Sequence, residues 1–312
     1  MSVTIAFTSL SPADHEAVAR LLHRSLVDWY ESRLRQGARF GESHEPFLLF
    51  PQVYEALDAG ECVTARDEAT GEMLGVCFSH ERETHVAVGI VATAPEAAGR
   101  GIARGMMQAV LEKARRLGKP ARLVSSLLNL DSFSLYTRLG FVPGVIFQDM
   151  LITVPDTGMA VPAPQGVEQV REARAEEAGR VADFEMTLQG IRREKDIAFF
   201  LRNEVGSWRV LVKEGAEGEL SGFLALSTHP SFTMIGPGVC ADEESAAALL
   251  WSALDGLRGR TLVFLVPCAA AGLVRMAYGR GARNVELHVA QSTAPVAGAR
   301  GIVFPTFMPE SA

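Results

Sequence analysis

Apolar residues in the stretch SPADHEAVARLLHRSLVDWYESRL recur at helical spacing, with Val18, Leu21, Leu22 and Leu26 on one face behind a Ser11-Pro12 entry. That pattern predicts an amphipathic helix. Residues 62–66 and 73–79 are short apolar runs on either side of a charged turn and predict a hairpin, and residues 85–93, HVAVGIVAT, predict a third strand. PEAAGRGIARGMMQAVLEKARRLG then reads as a turn, a glycine-rich loop and a long amphipathic helix ending near Gly118. A strand at Arg122–Leu127, a helix over Ser132–Leu139 and a strand around Val145–Ile152 complete the first half. In the second half, strands are expected at Val210–Lys213, Phe223–Ser227 and Thr261–Val266, with a helix at Glu243–Leu257. Antiparallel strands followed by a strand–loop–helix–strand–helix–strand run make a mixed αβ fold, not a pure βαβ repeat.

The pattern occurs twice. Residues 62–78, CVTARDEATGEMLGVCF, resemble 209–225, RVLVKEGAEGELSGFLA, with Gly71-Glu72 and Gly218-Glu219 at the turn and Gly75 and Gly222 four residues on. The offset is 147 residues. Residues 135–145, LYTRLGFVPGV, face 276–286, MAYGRGARNVE, at an offset of 141, so the second copy is six residues shorter somewhere between. Self-similarity of this kind indicates a duplicated domain. The three prolines and two glycines of residues 153–167 exclude a helix or central strand there. The expected organisation is a domain over 1–154, a linker over 155–166 and a second domain over 167–312.

Composition narrows the class. The chain has 312 residues, 48% hydrophobic and 21% charged, with a net charge of -7. Residues 1–156 carry 15 Lys/Arg against 19 Asp/Glu, and residues 157–312 carry 15 against 18, so neither half has a nucleic-acid binder's basic excess. None of Cys62, Cys77, Cys240 and Cys268 forms a CxxC pair, which points to no metal or redox site and to buried thiols in a reducing compartment. MSVTIAFTSL reads as a first strand, not a leader, and no apolar run reaches membrane-spanning length. A cytoplasmic protein without membrane or nucleic-acid partners is expected, as a monomer or a homodimer.

The chemistry-bearing segment is Ala98-Gly99-Arg100-Gly101-Ile102-Ala103-Arg104. It leaves a strand and opens a helix, where unpaired amides and the helix dipole favour an anion. Glycines at 99 and 101 allow the main chain to approach a pyrophosphate. A dinucleotide fingerprint needs a third glycine where Arg104 stands, and an acidic residue on the next strand, which ARLVSSLLN lacks. A phosphate-binding loop of the Gly-Lys-Ser/Thr kind is absent.

VATAPEAAGRGIARGMM, followed by NLDSFSLYTRLGF, resembles the Gcn5-related N-acetyltransferase (GNAT) superfamily over residues 3–152. The repeat implies a tandem type with a degenerate second copy: two GNAT-like domains, each a twisted, mostly antiparallel sheet flanked by helices. The resemblance implies acetyl-CoA as acyl donor and transfer of its acetyl group to a primary amine of a small molecule or peptide. Val91, Ala92 and Thr93 would serve the pantetheine arm, and Ala98 to Arg104 the pyrophosphate. Asn129 and Ser132 would lie along the cofactor, and Tyr136 beside the sulfur as the acid for the departing thiolate. The family's leading Gln or Arg is Ala98 here, with Arg100 and Arg104 able to supply charge.

A general base is sought in SHERETHVAV, since the family's strand glutamate is replaced by Gly89; Glu83 is preferred over His85. For the acceptor, Trp29, Tyr30, His44 and Glu45 offer aromatic and acidic groups suited to a cationic amine. The second copy has no comparable loop, and Asp242, Glu243 and Glu244 stand at its helix start, so no cofactor is expected there. The alternative activity is a non-catalytic acyl-CoA sensor or scaffold.

Overall fold

The computed structural model describes residues 4–160, 162–295 and 300–306; position 161 of the linker lies outside them. The chain forms two compact units, 1–121 and 122–312.

The first unit contains β1 (Ile5–Ser9), α1 (His15–Leu34), α2 (Leu49–Leu57), β2 (Val63–Asp67), β3 (Met73–Glu81), β4 (Val86–Thr93) and α3 (Ile102–Arg116). The strands pair antiparallel in the order β1-β2-β3-β4. β3 is buried along nearly its whole length, as a strand covered on both faces must be, and α1 and α3 pack against it. α1 buries Val18, Ala19, Leu21 and Leu22, the face the apolar spacing marks out. α2 was not legible in the sequence. Its segment EPFLLFPQVYEAL carries Pro46 and Pro51, but Pro51 stands in the first turn of the helix, where no backbone N–H is needed.

The second unit contains β5 (Ala121–Ser126), α4 (Leu130–Arg138), β6 (Val142–Thr153), β7 (Val170–Glu172), α5 (Ala178–Gln189), α6 (Glu194–Arg202), β8 (Trp208–Glu214), β9 (Leu220–His229), β10 (Phe232–Cys240), α7 (Glu243–Asp255), β11 (Thr261–Pro267), α8 (Ala271–Gly279), β12 (Arg283–Ser292) and β13 (Ile302–Phe304). Its strands run β5-β12-β6-β11-β10-β9-β8-β7, with β13 on β10. β6 and β12, the last strands of the two sequence copies, have exchanged partners. β12 pairs with β5 of the first copy, and β6 pairs with β11 of the second. They also pair with each other. Compactness therefore divides the chain at 121/122 and not at the 155–166 linker: each last strand gains two neighbours and neither is left as an unpaired edge. Met150 and Ile152 of β6, with Val154 just after it, belong to the same core as Leu249, Leu250 and Phe264 of the second copy.

The duplication is visible element by element. Strand, two helices, three strands, helix, strand, helix, strand is the order of both copies. Gly71 and Gly218 take positive φ of 75° and 84° in equivalent turns. A Cβ on Gly75 would sit 2.9 Å from Ile102 and Met106 of α3, and one on Gly222 2.7 Å from Leu249 of α7. These two glycines, 147 residues apart, each let a helix close onto a strand. From the end of β4 to the start of α3 the chain uses residues 94–101; from β10 to α7 it uses only 241–242. That is where the six residues are lost.

Candidate functional site

The glycine-rich segment runs from the end of β4 into α3. Gly99 and Gly101 both take positive φ, 77° and 78°, and a Cβ on either would meet nothing within 4 Å. The left-handed backbone, not crowding by the protein, is what calls for glycine there. Gly101 is the residue before the helix, and no side chain caps that end. Among the described residues, the amides of Gly99, Gly101, Ile102, Ala103 and Arg104 have no hydrogen-bond acceptor in the chain. Arg100 and Arg104 are exposed, and among the described residues neither forms an ion pair. Unpaired amides at the start of a 15-residue helix, flanked by two arginines, form a cradle for a polyanion. Ala98 is exposed and its N–H is bonded to Pro95, so it contributes no side-chain ligand.

Val91, Ala92 and Thr93 are the last three residues of β4, opposite Cys77, Val76 and Gly75 of β3. Just before them β4 carries one extra residue: Cys77 faces Val91 while Ser79 faces Val88. This β-bulge at Gly89–Ile90 re-aims the local backbone groups. Gly89, the position of the missing glutamate, lies in this bulge.

Asn129 caps α4, its Oδ1 accepting from Ser132 N at 3.1 Å. Tyr136 follows on the same helix, 6% exposed, with its ring edge-on to Phe141 at 5.9 Å.

The base candidates are dispersed. Glu83 is exposed in the turn between β3 and β4, and the strand from Val86 to Thr93 is about 23 Å long at ~3.3 Å per residue. Glu83 therefore stands at the far end of β4 from the glycine loop. His85 is buried, with Arg82 Nη1 3.5 Å from its Nε2 and Thr84 Oγ1 3.1 Å from its Nδ1. His80 is fully buried, stacked on Tyr54 at 4.6 Å with its Nδ1 2.7 Å from Asp58.

The acceptor candidates are largely engaged in packing. Trp29 contacts Tyr30 at 4.8 Å, Tyr30 contacts Phe40 at 4.9 Å, and Arg39 lies over the Tyr30 ring at 5.0 Å. His44 bonds Glu16 at 2.6 Å, which holds the Glu16 carboxyl below the usual range, while Glu45 is exposed. A cleft of about 440 Å³ opens beside α1 and the start of β3, and of these four residues only His44 lines it. Its other walls include Arg20, His23, Arg24 and Glu72, a mixed set without the Trp29, Tyr30 and Glu45 expected at the acceptor site.

The second copy differs at each matching point. Its β10 carries the equivalent bulge, but as Gly236-Pro237, and proline supplies no N–H. Beyond Ile235, where β11 stops pairing, the free edge of β10 is taken by β13: Gly238, Val239 and Cys240 pair with Phe304, Val303 and Ile302. Those three are the counterparts of Val91, Ala92 and Thr93. Asn129 is matched by Ala270, which cannot cap; the amide of Leu273 instead donates to Glu243 Oε2 at 2.8 Å. Tyr136 is matched by buried Ala277, and neighbouring Tyr278 is exposed and donates to Gln148 at 2.6 Å. Cys268, expected buried with the other cysteines, is exposed. Among the described residues no helix is long and apolar enough to cross a membrane.

Residues 23–141 match the model of the GNAT acetyltransferase family. This segment, which holds the glycine loop, Asn129 and Tyr136, is similar in sequence to the domains of that family. The fold of the whole chain is a tandem GNAT fold. It is similar to a putative acetyltransferase from Pyrococcus horikoshii, with a TM-score of 0.71 at 15% identity, covering 96% of this chain and 92% of that one. A GCN5-related N-acetyltransferase from Sphaerobacter thermophilus gives a TM-score of 0.61 at 18% identity, covering 95% and 98%. A tandem GNAT protein from the clavulanic acid biosynthesis pathway gives 0.60 at 15% identity, covering 94% and 100%. No curated protein matches the sequence significantly. At these identities the solved structures speak for the fold, and the family match for the first copy.

Proposed function

We propose that the chain is an N-acetyltransferase that uses acetyl-CoA, bound by the first copy alone, to acetylate a primary amine of a small molecule or peptide. The observation that carries this reading is the uncapped, glycine-built start of α3, with five unpaired amides and two unengaged arginines in a segment similar to the GNAT family. Ala98 to Arg104 would hold the pyrophosphate through the main chain, which is why Ala98 in place of Gln or Arg is tolerable. Val91 to Thr93 would hydrogen-bond the pantetheine arm. Asn129 accepts the cap bond through Oδ1, and its amide nitrogen would donate to the cofactor.

In the reaction the amine nitrogen attacks the thioester carbonyl carbon and the C–S bond breaks. The Tyr136 hydroxyl protonates the departing sulfur and is restored from water, and the nitrogen gives up its proton. An N–H at the Gly89–Ile90 bulge is a suitable donor to the oxyanion. Glu83, the base expected from the sequence, lies before Val86, about 10 Å of strand at ~3.3 Å per residue from the Gly89–Ile90 bulge and beyond the reach of a single water, so the amine proton passes to solvent. The second copy is proposed to bind no acetyl-CoA, since β13 occupies the strand edge matching Val91–Thr93 and Pro237 replaces the bulge donor.

Tyr136→Phe tests the assignment. Under this reading turnover falls at least tenfold while acetyl-CoA affinity stays within twofold of the parent. A sensor or scaffold, favoured by the exposed Ala98, would bind acetyl-CoA and turn over none of a broad amine panel.

A further inference from the structure

A second group of chemically capable side chains lies on the exchanged strands. Asp149 on β6 faces Glu286 on β12 directly, and His288 is two residues further along β12 on the same face. A ligating atom from each of the three lies within 4.8 Å of the others, and all three residues are buried, His288 at 5% exposure. Two features of the strands create this arrangement. β12 carries an extra residue between Asn284 and Glu286, which turns Glu286 toward Asp149. On the other side, Ser126 of β5 bonds Glu286 Oε1 and so fixes that carboxylate's orientation.

The fold itself does not call for these groups. Across the 141-residue repeat, Asp149, Glu286 and His288 correspond to Ala290, Val145 and Phe147. The same strand-exchange geometry is therefore built with apolar side chains at the matching positions. Two carboxylates and an imidazole that converge in a buried seam present a mixed oxygen and nitrogen donor set to a single point.

We propose that Asp149, Glu286 and His288 form a binding site for one divalent transition-metal ion of the Zn²⁺, Co²⁺ or Mn²⁺ class, clasping the exchanged strands of the two copies. Two carboxylates and one imidazole balance a 2+ charge and suit metals that accept mixed nitrogen and oxygen ligands. With metal–ligand distances of about 2.0–2.2 Å in a tetrahedral site, ligand atoms stand roughly 3.3–3.6 Å apart, so a spacing within 4.8 Å closes by shifts of about an ångström or less in each side chain. The sequence offered no signal for this site, because Asp149 is more than a hundred residues from its partners and no motif spacing links them.

The test uses the full chain, stripped with a chelator and titrated with ZnCl₂ by calorimetry, with CoCl₂ binding followed by visible absorption. The expected result is one ion per chain at micromolar or tighter affinity and a Tm that rises with metal concentration. His288→Gln and Asp149→Asn should each weaken binding at least tenfold, with far-ultraviolet circular dichroism unchanged. Binding that survives His288→Gln undiminished overturns the proposal by placing the ion elsewhere. No binding up to 1 mM, together with a higher Tm for Asp149→Asn, overturns it in favour of a proton shared by the carboxylates. Because the parent's own stoichiometry is the first readout, a misfolded variant leaves the answer intact.

Discussion

Replacing Gly101 with alanine separates what the glycine loop does for stability from what it does for binding. Gly101 has φ of 78°, and a Cβ there meets nothing within 4 Å, so the protein's own cost is backbone strain alone. A non-glycine residue in the left-handed region costs about 1–2 kcal/mol, which lowers Tm by a few degrees in a domain of this size. The added methyl projects from the segment whose amides are proposed to hold the pyrophosphate. Losing one or two hydrogen bonds to a charged group, at about 1.5–3 kcal/mol each, weakens acetyl-CoA binding by roughly ten- to a hundredfold or more. Gly60 is the control: its φ is 75°, a Cβ there also meets nothing within 4 Å, and it lies in the turn before β2. Gly60→Ala should lose the same stability and keep parental affinity. Differential scanning fluorimetry and calorimetric titration with acetyl-CoA measure the two quantities. Parental affinity in Gly101→Ala, or an equal loss of affinity in Gly60→Ala, would refute the reasoning.

Two further outcomes follow from packing and charge. Gly222→Ala should destabilise by about 1–3 kcal/mol in urea denaturation, because the new Cβ falls 2.7 Å from Leu249 and 2.9 Å from the Cys240 sulfur in a filled core; an unchanged midpoint would mean that α7 is free to move away. Glu177 is buried and bonded to Arg171 at 2.8 Å, and that bond is the largest of the effects holding its pKa at about 2. A depressed carboxylate pKa stabilises above the ordinary value near 4.5 and loses that contribution as pH falls toward 2. Glu177→Gln should therefore cost about 1–3 kcal/mol at pH 7 and progressively less between pH 4.5 and 2, whereas a pH-independent difference would argue against the ion pair.

The sequence carried the local structure well and the long-range pairing poorly. Gly71, Gly75 and their partners 147 residues on were legible because turn geometry and close helix–strand approach each demand glycine at one place. The fall in offset from 147 to 141 pointed to the missing loop for the same reason. Nothing local distinguishes β6 from β12 as a partner for β5, since each follows an equivalent helix, and the exchange was invisible. β13 is three residues long, too short for a periodic signal, yet it occupies the edge of β10. Among the site residues, the loop and the Asn129 cap are set by their immediate neighbours. The base and the acceptor pocket depend on which side chains distant segments bring near, and Trp29 and Tyr30, chosen for their chemistry, are engaged with each other and with Phe40.

Calorimetric titration of the full chain with acetyl-CoA, with NADH as a control, bears most directly on the central claim. One site per chain for acetyl-CoA and none for NADH is the expected result, placing the cofactor in the first copy alone. Two acetyl-CoA sites would contradict the reading of β13 and Pro237, and the absence of any would contradict the glycine loop as a cofactor cradle.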